Sequence, residues 1–173
     1  MNVELATKRL RLRQFRPDDL DDLHAMDGDD RVMRYLGTGL KGYTREQSAH
    51  ALELMIAHYA ERPGYGLLHG SRRDDTTFVG ACGLFPLPDA DDIEIAYRLP
   101  PACWGQGYAT EMAKAVLDYG FRTLGLPRIV GVTWPENLSS QRVLDKIGMR
   151  DDGIAVHYGR PMRVFSATRE TAR

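Results

Sequence analysis

Cysteine is almost absent from this chain: among 173 residues, Cys82 and Cys103 are the two thiols. Two are too few for a disulfide framework and are not spaced as metal ligands. The five histidines show no ligand spacing either, so no metal is expected. No stretch approaches the ~20 consecutive apolar residues that cross a bilayer, and the opening MNVELATKRL lacks the apolar run of a secretion signal. A reducing, cytoplasmic setting and no membrane partner are the expectations. Neither sign of charge is in excess: 23 Lys and Arg against 24 Asp and Glu leave a net charge of -1. That removes the global positive field behind non-specific nucleic-acid binding, and DNA is not an expected partner. Two nucleotide motifs are missing as well. The chain has no G-x-x-x-x-G-K-[ST] loop and no G-x-G-x-x-G after a strand, which excludes a P-loop NTPase and a Rossmann dinucleotide site.

What is present suits one globular domain spanning residues 1–173, with 43% hydrophobic and 27% charged residues. Residues 9–15, RLRLRQF, alternate apolar and basic, the period of a half-buried strand. Pro17 opens an acidic helix to Met26. The glycine-rich stretch Gly28–Tyr43 reads as a loop with one helical turn. Thr44 and Gln47 form a capping box for a helix from Arg45 to about Arg62, ended by Pro63-Gly64. Strands follow near Tyr65–His69, Thr77–Phe85 and Ile93–Arg98. After Pro100-Pro101 come a helix over Tyr108–Leu124, a strand over Arg128–Trp134, a helix over Leu138–Ile147 stopped by Gly148, and strands over Arg150–Tyr158 and Met162–Thr168. The order describes an α/β chain around a mixed sheet.

The segment Cys103-Trp104-Gly105-Gln106-Gly107-Tyr108-Ala109-Thr110-Glu111 lies between a strand and an amphipathic helix. Two glycines there let backbone amides approach an anion, and the helix N-terminus adds unpaired N–H groups and partial positive charge. A tight turn with no ligand is the alternative that the glycines alone leave open. Asn137 and Ser140 fall at the start of the later helix, where Asn137 can serve simply as the N-cap.

Together, YRLPPACWGQGYATE and NLSSQRVLDKIGM resemble the two signature blocks of the GNAT acetyltransferases, in particular the branch that acetylates ribosomal-protein amino termini, over nearly the whole chain. The resemblance implies a GNAT-like α/β (α+β) fold. Its central sheet would be mixed, mostly antiparallel and twisted, with six to seven strands flanked by about four helices and splayed between the fourth and fifth strands. It implies acetyl-coenzyme A as acyl donor, bound through Trp104, Gly105, Gln106, Gly107, Tyr108, Ala109 and Thr110 at the pyrophosphate. Ile95, Ala96, Tyr97 and Arg98 would pair with the acyl arm at the splay. Asn137 would contact the pantetheine arm or a substrate-side water, and Ser140 would lie near the thioester sulfur to help protonate the departing thiolate. Many superfamily members carry Arg or Gln ahead of the first motif glycine where this chain has Trp104. That departure removes a cationic phosphate contact and leaves more of the binding to backbone and helix dipole.

Glu94 is the candidate general base, directly or through water; a carboxylate on the solvated face of a strand is the alternative. Acetyl transfer to an amine needs no protein nucleophile once both substrates are held together, since positioning reaches effective molarities of ~10⁵–10⁸ M. It does need a neutral amine. An α-amine is roughly 10–15% neutral at pH 7 against about 0.04% for lysine, so one weak base favours an α-amino terminus or another low-pKa amine as acceptor. The loop Gly28–Tyr43 would shape the acceptor site, and the chain would act as a monomer or homodimer. A non-catalytic acyl-CoA sensor is the competing function. Lys8, Arg9, Arg11, Arg13 and Arg16 read as a solvated, edge-protecting strand face before a nucleic-acid patch. Asp89, Asp91 and Asp92 read as a turn, and Cys103 as a small buried residue.

Overall fold

The computed structural model describes residues 2–36, 39 and 41–169. Chain order begins with strands β1 (Glu4–Ala6) and β2 (Leu10–Gln14), then helices α1 (Leu20–Asp27), α2 (Asp30–Met33) and α3 (Arg45–Glu61). Strands β3 (Gly66–Arg72), β4 (Phe78–Pro86) and β5 (Ile93–Arg98) lead to helix α4 (Tyr108–Arg122). Strand β6 (Arg128–Thr133), helix α5 (Leu138–Lys146) and strands β7 (Arg150–His157) and β8 (Arg160–Thr168) complete it.

All eight strands form one sheet in the order β1-β2-β3-β4-β5-β6-β8-β7. Every neighbouring pair is antiparallel except β5 with β6. Leu10 and Leu12 alternate with exposed arginines in β2, as the sequence period requires. The sheet separates two cores. On one face Leu10, Leu12, Leu68, Cys82 and Leu84 pack with Met112, Val116 and Leu117 of α4. On the other, Phe15, Leu67 and Ala81 pack with Leu23 and Met26 of α1 and Leu52 of α3.

Local chemistry sets the boundaries. Thr44 and Gln47 cap α3 reciprocally, Thr44 Oγ1 accepting from the Gln47 amide at 3.3 Å and Gln47 Oε1 from the Thr44 amide at 2.8 Å. The helix expected from Pro17 starts at Leu20, because Asp19 turns back to accept from the Arg16 amide at 2.7 Å and winds Pro17–Asp19 into a 3₁₀ turn. The single helical turn expected in the loop is α2; positions 37, 38 and 40 lie outside the described residues.

Two counts differ from expectation. Among the described residues the sheet has eight strands where six to seven were expected, and there are five α-helices where about four were expected. The extra strand, β1, is three residues long, too short for its alternation to stand out in the sequence. It also covers β2, so the arginine-rich strand is not a sheet edge. Its arginines are paired instead: Arg9 with Glu111 at 2.6 Å, Arg11 with Glu4 at 2.7 Å and Arg13 with Asp19 at 2.7 Å.

Candidate active site

Strand β5 pairs with β4 along its whole length, Arg98 opposite Ala81 through Ile93 opposite Pro86. On its other side it meets β6 at a single register point, Glu94 opposite Val130. Beyond that point the strands part, and the alternate backbone groups of Ile95, Ala96, Tyr97 and Arg98 that do not serve β4 face the gap. In observed numbering, the expected splay between the fourth and fifth strands falls between β5 and β6.

A cavity of about 560 Å³ opens at this gap. Its lining brings together Glu94, Ile95, Ala96, Tyr97 and Arg98 from β5, Trp104, Gly105, Gly107, Tyr108, Ala109 and Thr110 from the α4 entrance, and Asn137 and Ser140 from α5. Gln106 is outside the lining; its amide nitrogen donates back to the Ala102 carbonyl at 2.8 Å.

The glycine turn is built by backbone conformation. Gly105 and Gly107 have φ of 74° and 78°, the left-handed region that side chains resist. A Cβ on Gly105 would meet nothing within 4 Å, so conformation and not crowding requires glycine there. Trp104 is half exposed, and its indole N–H is spent on the Leu99 carbonyl at 2.8 Å. Arg9, just before β2, braces the turn, donating to the Gln106 carbonyl at 3.1 Å, pairing with Glu111 and stacking 4.6 Å from the Tyr108 ring centroid. The cation missing at Trp104 has substitutes that sequence reading overlooked. Arg142 and Lys146, one helical turn apart on α5, both line the cavity and form no ion pair among the described residues.

Glu94 is not on a solvated face. It accepts a short hydrogen bond from the Tyr158 hydroxyl, and burial pushes its carboxyl above the ordinary range against the opposing pull of that bond and of His157. Tyr158 and Gly159 form the two-residue turn between β7 and β8, with φ of 52° and 72°. Asp89 holds the turn, accepting from the Tyr158 amide at 2.8 Å and contacting His157 Nδ1 at 2.8 Å. Asp89 therefore does more than shape its own turn. On the opposite wall, Asn137 Oδ1 accepts from the Ser140 amide at 3.2 Å and caps α5, as the simpler reading of Asn137 anticipates. Ser140 Oγ lies 2.9 Å from the Tyr97 hydroxyl. Arg98, also in the lining, donates to both oxygens of Asp27 at 2.7 and 2.8 Å. Cys103 is half-buried at the cavity wall, where burial raises its thiol.

Away from the cavity, Asp19, Asp22 and His69 place potential ligand atoms within 4.8 Å of one another, a convergence that sequence spacing did not show. Both oxygens of Asp19 are already bound by Arg13, at 2.7 and 2.8 Å, which ties the group into an ion pair.

Residues 9–150 match the family model for the acetyltransferase (GNAT) domain. The chain belongs to the GNAT acetyltransferase family. It is an N-acetyltransferase, the activity that several similar relatives are named for. One, the uncharacterized N-acetyltransferase YoaA of Bacillus subtilis, is 34% identical over 157 residues, covering 89% of this chain and 86% of its own. A GNAT acetyltransferase structure from Bacillus anthracis superposes with a TM-score of 0.82 at 26% identity, covering 97% of this chain and 99% of its own. RimL, a ribosomal L7/L12 α-N-protein acetyltransferase solved with coenzyme A, shares the fold with a TM-score of 0.78 at 15% identity, covering 96% of this chain and 98% of its own. GNAT enzymes use acetyl-CoA, and the residues here fit it: two left-handed glycines, the first with open space at its Cβ position, the N-terminus of a 15-residue helix, two cations with no ion pair among the described residues, and the open side of a strand meet in one cavity.

Proposed function

We propose that this GNAT enzyme acetylates an α-amino group, that of a protein amino terminus or of a small molecule, in a ternary complex with acetyl-CoA. One observation supports the reading: a half-buried carboxylate, held above its ordinary pKa by burial, and a serine hydroxyl line one cavity with the left-handed glycine turn at the start of α4.

When bound, acetyl-CoA supplies a thioester carbonyl activated toward amines. The amides at the start of α4, with Arg142 and Lys146, hold its phosphates. The free backbone of Ile95–Arg98 orients the acyl arm, and an N–H there polarises the carbonyl. Asn137, through its cap, fixes the first turn of α5 beside that arm. Glu94, oriented by Tyr158, accepts the proton the amine sheds. Its raised pKa brings it nearer the operating pH, where a general base is most effective. Ser140 donates a hydrogen bond where negative charge collects on sulfur.

The acceptor class follows from charge. Glu94 is the one carboxylate among the described lining residues, beside Arg31, Arg98, Arg142 and Lys146. Arg31 and Arg98 are already paired with Asp29 and Asp27, and Arg142 and Lys146 face the phosphates, so a polycation would find one counter-charge for several amines, whereas a single amine needs only Glu94. Lining by Val32, Tyr35, Leu36 and Met162 adds apolar contact for the group carrying the amine. The likeness to RimL is one of fold and supports the α-amine reading by analogy alone.

Thiol release from acetyl-CoA tests this with three acceptors: a short peptide with a free α-amine, its Nα-blocked counterpart bearing lysine, and spermidine. The free peptide should be the preferred acceptor. Preference for lysine or spermidine would overturn the α-amine assignment, and no release with any amine would overturn the proposed activity.

A further inference from the structure

The Tyr97 phenol crosses from β5 to the first turn of α5 and meets both oxygens of one residue. It lies 2.9 Å from the Ser140 carbonyl and 2.9 Å from Ser140 Oγ. A phenol has a single proton and a carbonyl only accepts, so the pair has two arrangements. In one, Tyr97 donates to the carbonyl, and the Ser140 hydroxyl, if it meets the phenol at all, must donate to it. The serine proton then points at Tyr97 and not into the cavity. In the other, Tyr97 donates to Ser140 Oγ, and the serine proton is free to face the cavity.

We infer that Tyr97 is a positioning residue for Ser140, a hydroxyl pair that switches from the first arrangement to the second as negative charge develops on the coenzyme's sulfur. The inference rests on the reading that Ser140 faces that sulfur. The switch is a rotation of two O–H bonds with no heavy-atom movement and no net proton transfer. In the second arrangement a donor behind Ser140 polarises its hydroxyl and strengthens the hydrogen bond it gives, as chains of hydrogen bonds do in a low-dielectric site. Burial raises the Tyr97 phenol above its ordinary value, which keeps it protonated as a donor throughout the working pH range. Tyr97 therefore acts on the leaving sulfur without touching it. Its place on β5 also ties α5 across the gap where the two strands part, fixing the distance between the polarising backbone and the serine.

Coenzyme A itself is the probe, so no acceptor is required. The thiol pKa of the bound coenzyme is read from thiolate absorbance, as the difference between complexes with coenzyme A and with desulfo-coenzyme A, which cancels the protein's own titration. A hydrogen bond to the thiolate lowers that pKa. Ser140→Ala should raise it by about one unit, a tenfold change in the ionisation constant. Tyr97→Phe should raise it by about half as much, and the double variant should match Ser140→Ala alone, since Tyr97 works through the serine. Difluorotyrosine at position 97, a stronger donor of nearly the same shape, should shift the thiol the opposite way and guards against a packing effect of the phenylalanine.

An unchanged thiol pKa in Tyr97→Phe, with Ser140→Ala still shifted, would overturn the inference and leave the reading of Ser140 standing. Additive effects in the double variant would also overturn it. No shift in Ser140→Ala would show that the serine does not face the sulfur, and both would fall.

Discussion

Glu94 owes its orientation to a single hydroxyl from a hairpin turn, and the two groups make opposite predictions about pH. A general base works deprotonated, so the rate should fall as pH drops through the Glu94 pKa, which burial sets above the ordinary ~4.3 of a glutamate. Glu94→Gln should lower kcat about 10²-fold or more and erase that acid limb. Tyr158→Phe removes a bond that lowers the Glu94 pKa, so its limb should move to higher pH with the base retained. Profiles of kcat/KM against pH check both. An unmoved limb in Tyr158→Phe would separate Glu94 from the titration. Glu94, Asn137 and Ser140 entered the sequence reading through the family resemblance of the segments around them, and they line one cavity. Tyr158 did not enter it, since its contact spans 64 positions and its one local signal is a Tyr-Gly pair in a hairpin turn. Arg142 and Lys146 carried a readable i,i+4 spacing, but the face they share became meaningful only once α5 was placed against the cavity.

Among the elements, the entrance to α4 carries the most specific demand. Both glycines occupy the left-handed region, which costs a side chain roughly 1–2 kcal/mol per residue. Gly105→Ala should lower stability by about that amount and no more, because its Cβ meets open space within the protein. Gly107→Ala carries the same backbone cost and brings its Cβ to 3.5 Å from Arg9 Nη2, the brace of the turn. Thermal melts with and without acetyl-CoA separate stability from binding, and the loss of ligand-induced stabilisation should be larger for Gly107→Ala. Removing Arg142 and Lys146 together should weaken coenzyme binding and flatten its dependence on salt, since screening acts on charges that are then gone. Most long elements could be read from period and caps: α3 from its capping box, β2 from its alternation, α5 from Asn137. The exception is short. β1 has three residues, too few repeats of a period-2 pattern to stand out, whereas α2, with four, is the single turn expected in the loop.

Over the whole molecule, the two cores on opposite sheet faces are joined by a buried ion pair at the site. Asp27, at the end of α1, is fully buried, and Arg98, at the end of β5, is 18% exposed in its side chain. Breaking such a pair strands a charge, so Asp27→Ala should cost about 3–5 kcal/mol in urea unfolding. Replacing both partners with apolar residues should recover much of that loss. Acid stability follows from a second pair. Burial pushes Asp19 up, but Arg13, the Arg16 amide and His69 together outweigh it and hold the carboxyl below its ordinary value. A depressed carboxylate adds stability above its unfolded pKa of ~3.9, and that contribution is lost as pH falls through the lower folded value. Arg13→Gln should flatten this loss in melts below pH 5. Strand order and the parting of β5 from β6 came to the sequence reading only through family resemblance. Hydrophobic period fixes which side of a strand is buried and says nothing about which strand lies beside it.

The most direct test of the account is a calorimetric titration of the purified protein with acetyl-CoA, beside a variant in which Gly107 is replaced by valine and shown to be folded. Micromolar, one-to-one binding that is lost in the variant is the expected result. Absence of binding to the folded wild type, or equal binding to both proteins, would contradict the placement of acetyl-CoA at the α4 turn and in the gap between β5 and β6.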